Sequence, residues 1–403
     1  MTVEREKGEL SLILLLTALV AMGVLSISMY IPSLPAIAED FGVKTADVQI
    51  TLSAFLFGIA FGQLIYGPLS DRFGRRPIIL VGLLLYMLTS LLCVFTYNIE
   101  SLIIARFLQG LSACAGPVIA RAIVRDRFKG DLAVKAFSFI ATALAAAPAV
   151  APLIGGFLEI TFGWRWIFGA FVAFGMILWI LSYHRLDESN EHLNRDALKP
   201  RRLVEIYYSI LSNRMFMGHA LASALIFSGL FSYTVTAPFL FIKEMGFAPQ
   251  IFGILMIFTV SGYAFGSYLS GRLIGILNQQ QLIILSMWIA LIGGVIMYIL
   301  SDILSPIRLL LPMMIYMVGV GLNLPPSMSR SLMPFARVAG SASALLGFFQ
   351  MAFAGLFAFT IRYFYDGSAH SLAIMEIALA GGGILIFWLL IQTDKTPMNK
   401  EVS

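Results

Sequence analysis

Twelve long apolar stretches, separated by short polar segments, dominate the sequence. They cover residues 10–32, 48–69, 77–97, 102–124, 135–158, 164–184, 214–242, 250–276, 281–301, 307–328, 338–364 and 370–392. Each can cross a bilayer as a helix, which takes about 20 apolar residues. In lipid a helix satisfies its backbone hydrogen bonds within one segment, and the alternating strands typical of a membrane β-barrel are not seen in this sequence. An all-α membrane protein with twelve transmembrane helices is therefore predicted.

The composition excludes a water-soluble fold. Hydrophobic residues make up 59% of the 403-residue chain and charged residues 12%, against about 25% charged residues in a soluble domain. The net charge of +5 is attributed to cytoplasmic loops and not to nucleic-acid binding. The two cysteines lie in apolar stretches and the four histidines are scattered, so no disulfide, metal or cofactor is predicted. No nucleophile–base pair or phosphate loop is present, so no catalytic residue and no enzyme is predicted.

One long polar stretch, residues 185–213, divides the predicted helices into six and six. We predict an N-terminal six-helix bundle over residues 1–184, a cytoplasmic linker over 185–213 and a C-terminal six-helix bundle over 214–403. The linker carries apolar residues at helical spacing: Leu203, Ile206, Tyr207, Ile210 and Leu211. They indicate either a short amphipathic helix on the inner membrane surface or a plain flexible linker.

A short internal repeat indicates that the two halves are related. Residues 60–67 read AFGQLIYG and residues 264–271 read AFGSYLSG, and an arginine follows each of them closely, Arg72 and Arg272. Small residues at such spacing let helices approach closely. Two pseudo-symmetric six-helix bundles, related by an axis along the membrane normal, are typical of transporters with a site near the bilayer midplane.

The charges of the loops predict the orientation. If both termini face the cytoplasm, outer segments hold few of the 27 Lys and Arg residues: Lys44, Arg165, Lys243, Arg308 and Arg362. Two further arginines, Arg106 and Arg121, fall within or near a span, and the remaining ones lie in inner segments. Both termini are therefore predicted to be cytoplasmic.

The most specific local motif follows the second apolar stretch and reads GPLSDRFGRRP over residues 67–77. Gly67 and Gly74 are expected to permit a tight reversal at the membrane face. Asp71 is expected to cap or pair with a neighbouring helix terminus. Three arginines are expected to stay in the inner interface: Arg72, Arg75 and Arg76.

Together with two other motifs, this loop resembles the major facilitator superfamily. Residues 106–110, RFLQG, resemble the family's arginine motif, and residues 147–156, APAVAPLIGG, resemble its antiporter signature. Residues 26–35, SISMYIPSLP, resemble drug:proton antiporters of the bicyclomycin/chloramphenicol-resistance type. The resemblance implies the major facilitator fold, a bacterial inner-membrane location and alternating access. It also implies export of drugs or other amphipathic small molecules against an inward flow of protons, by a chain that we expect to be monomeric in the bilayer.

Arg106 and Gln109 lie three positions apart in the fourth span, on one helix face. A buried arginine is costly, so Arg106 is expected to face a cavity and to have a partner. The residues are compatible with a role in coupling or substrate binding, and also with a purely structural hydrogen bond.

In the fifth span, four residues are expected to bend the helix and flatten one side of it: Pro148, Pro152, Gly155 and Gly156. Such a surface favours a close helix–helix seam that closes one gate. A structural kink without a gating role is the alternative.

The first span lacks the acidic residue that the resemblance implies as the proton carrier. The drug-exporter branch usually carries an aspartate just before the Met-Tyr pair of the first span, where this chain has Ser28. Glu376, in the twelfth span, is the one acidic residue clearly inside an apolar stretch, either as a coupling residue or as a residue at the lipid edge. The other candidates for substrate binding or coupling are polar residues within spans, for each of which a helix–helix hydrogen bond is the alternative: Tyr30, Gln63, Tyr233, Asn323 and Gln350.

Two functional hypotheses follow. The first is a proton-coupled exporter of drugs or amphipathic small molecules. The second, motivated by Ser28, is a dedicated metabolite or siderophore transporter with altered or no proton coupling.

Overall fold

Every apolar stretch of the sequence is helical in the structure, a computed structural model that describes residues 2–190, 193–274 and 276–392. Within this part, twelve helical segments are long and apolar enough to cross a membrane: Glu9–Phe41, Thr45–Phe73, Arg75–Val94, Ile99–Arg127, Asp131–Phe162, Arg165–Arg185, Arg214–Glu244, Pro249–Leu273, Gln279–Leu300, Pro306–Phe335, Ala339–Tyr363 and Ala369–Ile391. The prediction of twelve transmembrane helices is confirmed. Met1 and residues 393–403, on which the predicted cytoplasmic location of both termini falls, lie outside the described residues.

Helices α1 to α8 build the first six spans: α1 (Thr2–Ser28), α2 (Leu34–Phe41), α3 (Thr45–Phe73), α4 (Arg75–Val94), α5 (Ile99–Ala113), α6 (Ala115–Arg127), α7 (Asp131–Phe162) and α8 (Arg165–Arg185). The first span is split because Pro32 and Pro35 cannot donate backbone hydrogen bonds. A 3₁₀ turn over Ile31–Ser33 therefore joins α1 to α2.

Helix α9 (Pro200–Leu211) precedes the second set of spans. These are built by α10 (Arg214–Pro238), α11 (Pro249–Leu273), α12 (Gln279–Leu300), α13 (Pro306–Leu332), α14 (Ala339–Thr360) and α15 (Ala369–Phe387). A π-helical segment, Phe239–Glu244, extends α10, and another, Trp388–Gln392, extends α15.

The two halves repeat the same internal packing. In the first half α3 packs on α5, and Gly62 of α3 lies against the backbone of Leu111. In the second half α11 packs on α13, and Gly266 of α11 lies against the backbone of Val318. Gly62 and Gly266 are the matching glycines of the sequence repeat, which confirms two pseudo-symmetric six-helix bundles.

The bundles meet along two seams, α3 on α14 and α7 on α11. We call the end of the molecule that carries the turn at Gly74 the arginine end, and the other end the opposite end. The halves close against each other at the opposite end, where the Gln49 side chain donates to the carbonyl oxygen of Val235 at 3.3 Å. The 3₁₀ turn of the first span also contacts α10 and α11 there.

Helix α9 packs on the protein near the arginine end. Ile210 is buried in a cluster with Phe216 and Leu345, and α9 contacts α10 and α14. The apolar side of α9 therefore lies against the second half of the chain.

The α7–α11 seam depends on the small size of Gly156. A Cβ atom at this position would lie 2.8 Å from the carbonyl oxygen of Pro249. We expect Gly156→Val to force the halves apart and to destabilise the protein by about 1–3 kcal/mol, the usual cost of overpacking. The thermal unfolding midpoint in detergent measures this loss. Gly271→Val on α11 is the control, because nothing lies within 4 Å of a Cβ at Gly271. Equal midpoints for the two variants would contradict the expectation.

Candidate functional site

The turn between α3 and α4 differs from its prediction in one respect. Helix α3 continues to Phe73, so Gly67 lies within the helix and the expectation that it forms part of the reversal is wrong. The chain turns at Gly74 alone, where φ is 98°. Pro68 leaves the carbonyl oxygen of Leu64 without its backbone donor, and the Tyr207 hydroxyl lies 3.5 Å from this oxygen.

Arg75 is the centre of an ionic network at this turn. Its side chain donates to Asp71 at 2.6 Å, to Ser70 at 2.7 Å and to Asp126 of α6 at 3.0 Å. The guanidinium is buried while Asp71 is half exposed. Because hydrogen bonds between charged groups are about twice as strong as neutral ones, the network ties α3, α4 and α6 together.

The N-terminus of α4 is capped by Glu188 and not by Asp71. The Glu188 carboxylate accepts from the backbone nitrogen of Arg75 at 2.9 Å and from that of Arg76 at 3.1 Å. A carboxylate at this position satisfies free N–H groups and the helix dipole. Sequence reasoning missed Glu188, because it lies in the polar linker more than a hundred residues from its partners and carries no local signal.

The remaining motif residues lie on the surface of this network. Arg76 donates to the carbonyl oxygen of Tyr183 at 2.9 Å and its guanidinium lies over the Tyr183 ring. Arg72 lies over the ring of Phe73. The backbone carbonyl of Asp71 accepts from the backbone nitrogen of Asn194, which attaches the linker to the turn.

Because lysine cannot reproduce the fork of a guanidinium, we expect Arg75→Lys to lose at least one of its three side-chain contacts. The loss should cost about 1.5–3 kcal/mol, the range for hydrogen bonds to charged groups. Thermal unfolding in detergent checks this. Arg202→Lys, an exposed position in α9, should leave the midpoint unchanged. An Arg75→Lys midpoint equal to that of the wild type would show that the network is dispensable.

Arg106 is completely buried inside the first bundle. Its guanidinium donates to the Gln109 side chain at 2.5 Å and to the carbonyl oxygen of Ser26 at 3.4 Å. The rings of Phe55 and Tyr30 lie 4.1 and 4.2 Å from its central carbon. Cation–π contacts of this kind are worth more when they are desolvated, so the rings replace part of the missing solvation.

The partners of Arg106 are themselves held in place. The Gln109 amide donates to Ser90 at 2.8 Å, and the Tyr30 hydroxyl shares a hydrogen bond with Thr51 at 2.7 Å. Three of the predicted residues, Tyr30, Arg106 and Gln109, therefore form one cluster. In this conformation the guanidinium is enclosed by protein on all sides, and the expectation that it faces a cavity is wrong because aromatic rings cover it.

Gln109 supplies the one side-chain oxygen that accepts from Arg106 among the described residues. We expect Gln109→Leu to leave the buried charge without this acceptor and to destabilise the protein by at least about 1–3 kcal/mol. The fraction of folded protein in size-exclusion chromatography and the thermal midpoint measure the effect. Gln280→Leu, at the half-exposed start of α12, is the control. A midpoint for Gln109→Leu no lower than that of the control would contradict a structural role for the pair.

The second bundle contains a buried acid. Glu376 is 0% exposed, and neither of its carboxyl oxygens has a hydrogen-bond partner among the described residues. The alternative that it lies at the lipid edge is therefore wrong, because its side of α15 faces the interior of the bundle. Its carboxyl is close enough to Tyr233 of α10 and Tyr316 of α13 to act electrostatically on both. The Tyr233 hydroxyl is also buried without a partner.

The other candidates lie elsewhere. Asn323 is buried between α12 and α13, where its amide donates to Ser286 at 2.9 Å and accepts from Ser327 at 3.1 Å. Gln63 is buried beside Gly347 on the α3–α14 seam, and Gln350 is half buried on α14. The structure thus separates the candidate residues into four groups. One cluster lies in each bundle, Asn323 lies apart from both clusters, and Gln63 and Gln350 lie on the seam between the halves.

The antiporter-like stretch lies on the other seam. Helix α7 is continuous through Pro148 and Pro152. Gly155 lies against the backbone of Met29, and Gly156 against Pro249 of the second half. One flattened side of α7 thus contacts both halves near the opposite end.

The loop before α15 carries the acid nearest to the start of that helix. Asp366 accepts from the Ser368 hydroxyl at 2.6 Å, and this hydrogen bond above all holds the pKa of Asp366 below its usual value. Since the folded protein favours the ionised form, the stabilisation is present above the ordinary carboxyl pKa and is lost as the pH falls through the lowered one. Asp366 thus stays charged at neutral pH and anchors the loop.

Two six-helix bundles with buried ion networks define a multi-pass membrane protein of the class that includes secondary transporters. Residues 14–359 match the sequence profile of the Major Facilitator Superfamily. The chain belongs to this superfamily, and the resemblance of its motifs is confirmed. Members of the family carry small molecules across membranes.

Relatives that match over most of the chain include the following three. The MFS-type transporter YdgK of Bacillus subtilis is 36% identical over 95% of this chain and 96% of its own. Multidrug resistance protein D of Escherichia coli is 29% identical over 99% of this chain and 100% of its own. The bicyclomycin resistance protein homolog of Haemophilus influenzae is 29% identical over 86% and 88%, respectively.

The fold is also similar to that of solved structures. The partially occluded, inward-open xylose transporter XylE of Escherichia coli superposes with a TM-score of 0.75 at 15% identity, covering 98% of this chain and all of that chain. At this identity the likeness concerns the fold alone.

Proposed function

We propose that the protein is a proton-coupled exporter of drugs or other amphipathic small molecules that works by alternating access. The observation that supports this function is the extent of the similarity to multidrug resistance protein D, which covers both chains from end to end. A secondary transporter of this kind needs no cofactor and no enzymatic activity, and it does not bind nucleic acid.

Alternating access requires two rigid bodies and seams that open in turn. The proposed bodies are residues 1–184 and 214–403, joined by the linker 185–213. The seam at Gly155 and Gly156 would serve as a gate at the opposite end, where Gln49 and Val235 already hold the halves together. Gln63 and Gln350 lie on the other seam, between α3 and α14. They are proposed to line the substrate path when this seam opens.

We propose further that the arginine end faces the cytoplasm of a bacterium and that a single chain in the inner membrane is the working unit. The charges of the loops support this orientation. Arg72, Arg75 and Arg76 surround one turn, and basic residues in cytoplasmic loops are the general rule for inner-membrane proteins.

Drug tolerance tests the proposed function. Expression in a bacterial strain that lacks its major efflux pumps should raise tolerance to a panel of lipophilic antibiotics and lower the accumulation of ethidium. Collapse of the pH gradient with an ionophore should abolish both effects, since the gradient drives export. The Gly156→Val variant, expressed at the same level, is the control for effects that come from overexpressing a membrane protein and not from transport.

Two outcomes would count against this proposal. Unchanged tolerance and accumulation across the panel, for a correctly inserted protein, would contradict drug export. Export that persists after collapse of the pH gradient would favour the dedicated transporter without proton coupling, which Ser28 suggests.

A further inference from the structure

The carboxyl group of Glu376 is buried without any counter-charge. Both of its oxygens are enclosed and accept no hydrogen bond within the described part of the chain, and no ion pair found there includes them. Glu376 lies seven residues after Ala369, the first residue of α15, or about 10 Å inside the helix from the opposite end. It therefore lies inside the helix and not at its end.

The helices packed around Glu376 present neutral groups to it. Helix α10 contributes the phenol of Tyr233, and α13 contributes the phenol of Tyr316, whose hydroxyl donates to the carbonyl oxygen of Ile226 at 3.0 Å. Helix α12 carries no charged residue, and its Gly294 lies against the backbone of Glu376.

The ionisable groups near the ends of α15 form hydrogen bonds or ring contacts with residues other than Glu376. His370 contacts the Ser301 hydroxyl at 3.1 Å, and Asp366 is bound by Ser368. Arg362, in the short 3₁₀ turn that contacts α15, lies over the rings of Phe359 and Tyr363. At the far end of α15, His219 packs edge-on against Phe387. None of these groups pairs with Glu376.

An ionised carboxylate in such a place would be costly. An isolated charge removed from water pays a desolvation penalty that only a partner can offset, and in practice a group without one becomes neutral. The surroundings of Glu376 in this conformation therefore favour the neutral carboxylic acid over the carboxylate. A leucine or methionine of similar size would leave no buried oxygen without a hydrogen-bond partner, so packing alone does not account for an acid at this position.

The other acidic residues named here either form an ion pair or lie near the end of a helix. Asp126 is bound to Arg75, and Asp40 is bound to Arg165 at 2.7 Å. Glu159 lies three residues before the end of α7 at Phe162. The first span has Ser28 on its way through the membrane and no acidic residue between Glu9 and Glu39.

We propose that Glu376 is the proton-carrying residue of the transport cycle. Its carboxyl group takes up one proton from water on the outer side, keeps it while the group is enclosed by the second bundle, and releases it to water on the cytoplasmic side as a carboxylate and a hydrated proton. This inference rests on the proposed function, because it assigns the proton of that antiport to one residue.

Flux measurements with the purified full-length protein in liposomes test the assignment. A gradient of one pH unit supports about tenfold accumulation of a probe per proton exchanged, and wild-type protein should approach this value with ethidium as the probe. Glu376→Gln keeps the shape of the side chain but cannot ionise. It should lose the gradient-driven accumulation and still exchange labelled for unlabelled ethidium at a rate close to that of the wild type. Glu100→Gln, at an exposed position in the first turn of α5, should behave as the wild type.

Accumulation by Glu376→Gln that equals that of the wild type would overturn the proposal. If this variant does not insert, Glu376→Asp retains the acid on a shorter side chain. It should shift the pH at which gradient-driven transport is half-maximal, and an unchanged pH profile would overturn the proposal as well.

Infrared spectroscopy separates this inference from the proposed function. Wild-type protein without any drug should show, at neutral pH, the carbonyl band of a protonated carboxylic acid that is absent from Glu376→Gln. A wild-type protein that moves no ethidium but shows this band would refute the export of this class of compound and leave the protonated state of Glu376 supported. Absence of the band from the wild type would overturn the assignment.

Discussion

The cost of placing charge in a hydrocarbon environment governs where the ionisable groups of this protein lie. The buried charge of Arg106 is stabilised in the first bundle because an amide, a backbone carbonyl and two aromatic faces surround its guanidinium. Arg75 is accepted at the membrane face because Asp71 and Asp126 neutralise it. Glu376 has no such compensation, and this contrast makes it the most informative acid of the described spans.

The two bundles treat their buried ionisable groups differently, although both groups lie at a similar distance from the start of their helices. Arg106 follows Ile99, the start of α5, by seven residues, and Glu376 follows Ala369 by the same number. A guanidinium keeps its proton in proteins, so the first bundle holds a permanent charge that needs permanent partners. A carboxyl group can be neutral or charged, so the second bundle holds a group that responds to access by water.

Backbone contacts between helices decide how the halves meet. At Gly156 the surface of α7 is flat enough for the chain at Pro249 to approach, and a hydrogen bond from Gln49 to Val235 holds the same end. Such close contact through glycine is stable only when two helices lie in one relative position. A seam of this kind is therefore either closed or open, which is what a transporter with two access states requires.

The sequence by itself determined the class, the number of spans and the family, because hydrophobic length, loop charge and local motifs are all properties of contiguous residues. The pairing of Arg106 with Gln109 was also within its reach, since the two residues are three positions apart on one helix. The role of Gly67 was predicted wrongly, because α3 continues through Pro68 to Phe73, whereas the local sequence of glycine and proline favours a turn. The tertiary structure alone decided that Glu188 caps α4, that aromatic rings enclose Arg106, and that Glu376 faces the bundle and not the lipid. Each of these facts depends on which distant helices come together, and the preference of a single helix for lipid or protein is not encoded in its own apolar residues.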